Sequence, residues 1–238
     1  MKGLVIVKLG GGLIAPKDWE MGRADEGLIE KLASEIRESG KRVVVISGSG
    51  NFGHAAVKKY GIDTAMGVSR VQRIAQKIGE IVTQKLIDVE QPGVLVAPHD
   101  IWPEGKFVMR DGMVPVFYGD VVWEEGKAVI YSGELCIEKL LPVVGRVERI
   151  VQAGCEDGVW DENKRIIPEI NEKNWDEMKR SVSGSAGVDY TGGMLHKVVK
   201  SLEFAKKFGI KTMILNGKVE GRLKEAIGGK SVFGTVVG

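Results

Sequence analysis

Short, largely uncharged runs rich in valine and isoleucine alternate along the chain with longer stretches in which apolar residues recur every three or four positions. The runs at 4–7, 43–46, 94–97, 114–117, 149–152 and 212–215 predict strands. The periodic stretches at 26–38, 69–88 and 194–208 predict helices. Uncharged strands joined by crossover helices imply an α/β fold, a three-layer α/β/α sandwich whose central sheet is mainly parallel. Ligands of such sheets gather at the carboxyl ends of the strands. The middle of the chain reads differently. Residues 105–113 and 121–131 hold short strand-like pieces with charged turns such as Glu124-Glu125-Gly126-Lys127, and they predict hairpins set on the sheet around a substrate. No repeat or linker divides the sequence, so one domain over 1–238 is expected.

Three glycine loops fall where that pattern puts strand ends and helix starts. Lys8 precedes Gly10, Gly11 and Gly12, just after the first run. Glycine lets a backbone approach phosphate closely, and lysine carries a compact charge on a long stem. The order differs from the common P-loop, because the lysine precedes the glycines and no GK[ST] follows them. The second loop, Ser47-Gly48-Ser49-Gly50-Asn51-Phe52-Gly53-His54, leads into a helix expected to begin near His54, whose free N–H groups would favour an anion. The third, Asp189-Tyr190-Thr191-Gly192-Gly193-Met194, places Lys197 one turn into a helix. A lone histidine at a turn usually caps or packs, and a lone lysine on a helix or loop, Lys17 included, is usually only solvated. Together the three loops point to phosphoryl transfer.

Bulk properties narrow the class. The 238 residues suffice for one large domain with a substantial core. With 34 basic and 32 acidic side chains the net charge is +2, too balanced for a general nucleic-acid surface. Cys136 and Cys155 form no CxxC pair, which excludes a disulfide framework and a structural zinc site and suits a reducing cytoplasm. No stretch approaches the ~18 apolar residues of a membrane span. A soluble, cytoplasmic protein is expected.

In this order and spacing the motifs resemble the amino acid kinase family, and within it the isopentenyl phosphate kinase branch, with the fosfomycin kinases close by. The resemblance runs from Lys8 to about Asn216-Gly217. It rests on KLGGG followed by Lys17, on Asn51-Phe52-Gly53-His54, on VPVFYGDVV at 114–122, on Ser132-Gly133, on Asp157-Gly158-Val159, and on SGSAGVDYTGGM with Lys197. It implies an ATP-dependent kinase of a small phosphate monoester, isopentenyl phosphate first, with another phosphate or phosphonate acceptor, or a non-catalytic nucleotide binder, as the alternatives.

By the same resemblance Lys8, Lys17 and His54 are catalytic, and Gly48, Gly53, His54 and Gly133 hold the acceptor phosphate. ATP would meet Lys8, Gly10, Gly11, Gly12, Ser49, Asp157, Gly192 and Lys197, with the segment 216–217 nearby. Mg2+ would bridge ATP oxygens without a dedicated protein cage. The acceptor-binding lobe would occupy roughly 1–145 and the nucleotide-binding lobe roughly 146–238, in a homodimer. Val71, Ile74, Ala75 and Ile78 of the long helix are candidates for lining the acceptor's tail. Three positions depart from the family pattern: Ser49 stands in a glycine triplet, Glu134 replaces an aspartate that organises the lysines, and Cys155 replaces an aspartate of the nucleotide side.

Overall fold

The structure, a computed structural model, describes residues 3–102, 104–184 and 191–238. The sequence motif at 185–190, including Asp189 and Tyr190, lies outside the described residues. In chain order the elements are β1 (Leu4–Leu9), α1 (Gly11–Ile14), α2 (Glu26–Glu38), β2 (Arg42–Ser47), α3 (Gly50–Tyr60) and α4 (Ala65–Asp88). They continue with β3 (Gly93–Leu95), α5 (Pro98–Ile101), β4 (Val114–Tyr118), β5 (Asp120–Glu124), β6 (Lys127–Tyr131), α6 (Gly133–Leu140) and β7 (Val147–Gly154). The last are β8 (Glu169–Ile170), α7 (Trp175–Gly184), α8 (Thr191–Phe208), β9 (Thr212–Asn216), α9 (Arg222–Gly228) and β10 (Thr235–Val237).

Among the described residues the main sheet has eight strands in the order β3-β4-β2-β1-β7-β9-β10-β8. From β3 to β9 every pairing is parallel, and β10 runs antiparallel to β9. All six expected strands lie in this sheet. All but the half-buried edge strand β3 are largely buried on both faces, which is why their sequences carry so little charge.

Alternation within β1 sorts the two outer layers. Val5, Val7 and Leu9 pack with Ile29, Leu32 and Ile36 of α2, Val82 of α4 and Leu223 of α9. Leu4 and Ile6 face the other way, onto Ile137 and Leu140 of α6 and Phe204 of α8. Lys8 continues the Leu4, Ile6 series, so its side chain leaves the sheet on the α6 and α8 side.

Helix α2 has the expected bounds, capped by the Asp25 carboxylate, which accepts from Leu28 N at 3.0 Å. Helix α4 begins four residues before its apolar periodicity, because Thr64 caps it by accepting from Gly67 N at 3.1 Å. A hairpin forms over β5 and β6, as expected for the second of the charged segments. The other expected hairpin, at 105–113, does not form. Phe107 and Met109 turn inward onto the core while Val108 is exposed, a strand-like alternation with no partner strand. Among the described residues no helix is long and apolar enough to cross a membrane.

Candidate active site

The carboxyl ends of β1, β2 and β7 open into a cleft of about 550 Å³, which Lys8, Lys17, Gly48, Ser49, Gly53, His54, Gly133 and Lys197 all line, with the loop Gly10 to Gly12. Motifs separated by up to 189 positions in sequence therefore converge because a parallel sheet brings its strand ends to one edge. The glycine loops pack backbone to backbone. A Cβ on Gly11 would come 2.8 Å from the Cα of Gly50, and Gly50 itself sits at φ +48°, so both positions require glycine.

Lys8 is 6% exposed and forms an ion pair with the equally buried Glu134. Glu134 occupies the first turn of α6, whose cap Ser132 accepts from Leu135 N at 3.2 Å. The Lys8 stem crosses Gly133, where a Cβ would lie 2.6 Å from Lys8 Cε. Burial pushes the Glu134 carboxyl up, but the charge and hydrogen bond of Lys8, the residue's own N–H and the more distant Lys197 outweigh it and hold the group below its ordinary value. The longer glutamate thus reaches Lys8 and pairs with it.

Lys197 projects from α8 toward the end of β7, with its ammonium 3.6 Å from where a Gly154 Cβ would stand. Burial, and then the positive charge of Lys8, lower its pKa, opposed by Glu134, Cys155 and Glu156. Two ammonium groups held near each other in a partly closed cleft attract a polyanion strongly.

On the opposite wall, helix α3 begins at Gly50 rather than near His54, which corrects the expectation from sequence. The N–H of Asn51 donates to Ala15 O at 3.0 Å, and those of Phe52 and Gly53 donate to Ser49 O at 3.0 and 3.2 Å. These first-turn amides are therefore engaged within the protein, since the loop tightens back onto itself. His54, one turn in, has its Nδ1 2.9 Å from Gly50 O. A carbonyl can only accept, so Nδ1 carries the proton and Nε2 is left for the cleft. Ser49 is the N-cap of α3 without a side-chain cap bond, and it sits beside Gly53 and Gly119 at the cleft surface.

Val57, Val71, Ala75, Val121 and Ile130 add an apolar wall next to His54. Of the four tail candidates, Val71 and Ala75 line the cleft. Ile74 and Ile78 do not; their side of α4 packs into the core.

Asp157 lies outside the cleft lining and is paired with Arg222 at 2.5 Å, whose guanidinium lies 5.6 Å from the Phe233 ring centroid. Gly192 falls in the first turn of α8, and it is its neighbour Gly193 that lines the cleft. Cys155 also lines it, with Sγ 3.2 Å from Gly12 O, and burial raises its thiol pKa. The motifs give no part to Asp120, which stands in the 114–122 run, or to Glu156 or His196, and all three line the cleft. Glu156 accepts from Trp160 Nε1 at 3.0 Å. Among the described residues no three His, Cys, Asp or Glu side chains group as a metal site.

Asp120 is fully buried and its Oδ2 lies 2.6 Å from Nδ1 of His99 on α5. The hydrogen bond to Asp120 raises the His99 pKa against the effect of burial, with the charges of Asp120 and Asp100 adding to it. A raised folded-state value contributes stability that is complete below the unfolded pKa of about 6.5 and is lost as pH climbs through the folded value. The melting temperature of the wild type is expected to fall over that interval above about pH 6.5. In His99→Gln the fall should vanish, and its persistence would refute the pairing.

A sheet-edge cleft with a buried and a half-buried lysine on one side and a histidine beside an apolar wall on the other is that of a phosphotransferase. Residues 3–216 match the amino acid kinase family, and the chain belongs to that family. It is 28% identical to an isopentenyl phosphate kinase of Methanothermobacter thermautotrophicus over 98% of both chains. It is 30% identical to an isopentenyl phosphate kinase of Haloferax volcanii, covering 84% of this chain and 87% of that one. A crystal structure of an isopentenyl phosphate kinase superposes with a TM-score of 0.78 at 26% identity, over 98% of this chain and all of the other.

Proposed function

We propose that this protein transfers the γ-phosphoryl group of ATP to isopentenyl phosphate, giving isopentenyl diphosphate and ADP. The observation that carries the reading is the pairing, in one cleft, of His54 with the apolar wall of Val57, Val71, Ala75, Val121 and Ile130, opposite Lys8 and Lys197. A phosphate with a short hydrocarbon tail matches that wall, and the relatives named above bear that activity in their names.

The residues then take these parts. His54 donates from Nε2 to the acceptor phosphate, with Gly48, Gly53 and Gly133 giving its oxygens room. Lys8 neutralises charge on the phosphoryl group in flight, and Lys17, Lys197 and the loop Gly10 to Gly12 attend the ATP phosphates, with Ser49 beside them. No general base is required, because the acceptor phosphate is already an anionic nucleophile at neutral pH. Mg2+ fits as an ion carried on the nucleotide: Glu134 is engaged by Lys8 and Glu156 by Trp160, while Asp120 pairs with His99 through Oδ2 and keeps its Oδ1 buried without a partner. When bound, it would bridge and neutralise phosphate oxygens.

Asp157 and Gly192 belong to this scheme as flanks of the nucleotide, Asp157 through Arg222. The acceptor lobe spans roughly 1–145 and the nucleotide lobe roughly 146–238, within a cytoplasmic homodimer. Purified protein supplied with ATP, Mg2+ and isopentenyl phosphate is expected to form isopentenyl diphosphate. Turnover only with other phosphates or phosphonates, or nucleotide binding without turnover, would overturn the assignment.

A further inference from the structure

We propose that Asn51 is a positioning residue that clamps the loop carrying Lys17 to the acceptor-side helix α3, and so sets where Lys17 meets the ATP phosphates. The proposal rests on Lys17 acting at those phosphates. Residues 16–23 form a surface loop between α1 and α2, and Lys17 on it is exposed. Inside the loop, Trp19 N donates to Pro16 O at 3.2 Å and Arg23 N to Glu20 O at 3.1 Å, while the Arg23 guanidinium lies 4.5 Å from the Trp19 ring centroid.

Among the described residues, the backbone of 16–23 makes its hydrogen bonds to the rest of the protein through one side chain. Asn51 Nδ2 donates to Pro16 O at 3.0 Å and to Arg23 O at 2.7 Å, and Asn51 Oδ1 accepts from Gly22 N at 2.9 Å. These bonds hold both ends of the loop at once. Asn51 is only 1% exposed, and both of its amide N–H donors are used. Only a primary amide of this length offers two donors and an acceptor here; aspartate loses both donors and leucine loses everything.

The position on α3 matters as much as the bonds. Three residues on, the same helix presents His54 to the cleft, so one rigid element holds the acceptor-side histidine and the loop of the donor-side lysine. An exposed lysine on a loop freed from this clamp samples many positions, and a displacement of about 1 Å at a transfer site costs up to about 100-fold in rate.

The test is a double-substitution cycle on Lys17→Ala and Asn51→Ala, read as kcat, KM for ATP and KM for isopentenyl phosphate. Each single substitution is expected to lower kcat/KM for ATP by about 10- to 100-fold. KM for isopentenyl phosphate should stay within about threefold, and the double variant should be no worse than Lys17→Ala alone. Asn51→Ser, which keeps one hydrogen bond, carries the same cycle where Asn51→Ala fails to fold. Losses that multiply in the double variant overturn the clamp and leave Lys17 at the ATP phosphates. An acceptor KM that rises as much as that of ATP also overturns it. Lys17→Ala with unchanged kinetics overturns the assignment of Lys17 and the clamp together.

Discussion

Lys8→Met is expected to lower kcat by about 10³-fold, and to lower stability as well by about 3 kcal/mol. The two effects have separate causes. Loss of activity follows from removing the charge that balances the phosphoryl group in the transition state, at a site where partial burial makes that charge count for more than it would in water. Loss of stability follows from Glu134. Its carboxylate is as buried as Lys8, and the Lys8 ammonium supplies the charge and hydrogen bond that keep it ionised against desolvation.

The double variant Lys8→Met/Glu134→Gln separates the two. It should recover most of the melting temperature and none of the turnover, because a neutral amide no longer needs a cation while the phosphoryl group still does. Turnover regained in the double variant would refute the catalytic assignment. The acid limb of the stability curve gives a further check. A carboxyl whose folded pKa is depressed contributes stability that is present above its unfolded value of about 4.3 and lost as pH falls through the folded value. That loss below about pH 4.3 should be seen in the wild type and not in the double variant.

His54→Ala is expected to raise KM for isopentenyl phosphate by about 30- to 100-fold, the loss of a charged hydrogen bond of about 2–3 kcal/mol, while KM for ATP changes little. With Nδ1–H committed to Gly50 O, the ring donates to the acceptor from Nε2 only as an imidazolium. His54→Gln, whose amide can donate but carries no charge, should recover only part of the acceptor affinity lost in His54→Ala. An acceptor KM in His54→Ala equal to that of the wild type would sink this account of the histidine.

The sheet was legible because most of its strands are largely buried on both faces and so appear as valine and isoleucine runs that carry little charge. Strands β8 and β10, of two and three residues, are too short to carry a period and were not expected. The segment at 105–113 carries the alternation of a strand, yet hydrogen-bonding partners decide whether alternation becomes a strand, and it has none there.

Of the site, Lys8, Lys17, His54, Lys197 and the glycines were visible as local patterns at strand ends. Asn51 stood within a quoted motif with no part assigned, because its work is done through three backbone groups 28 to 35 positions away. Asp157 read as a nucleotide ligand, and its pairing with Arg222 joins residues 65 positions apart that share no motif.

By itself the sequence determined the layered parallel fold, the edge at which chemistry gathers and the side chains that carry it, since burial, backbone freedom and charge type are properties of short segments. Only the tertiary structure decided that Glu134, 126 positions away, meets Lys8, that α3 starts at Gly50 and turns His54 Nε2 toward the cleft, and that Asn51 binds the Lys17 loop. Those are contacts between segments, and their geometry depends on how layers pack, which no single stretch of chain encodes.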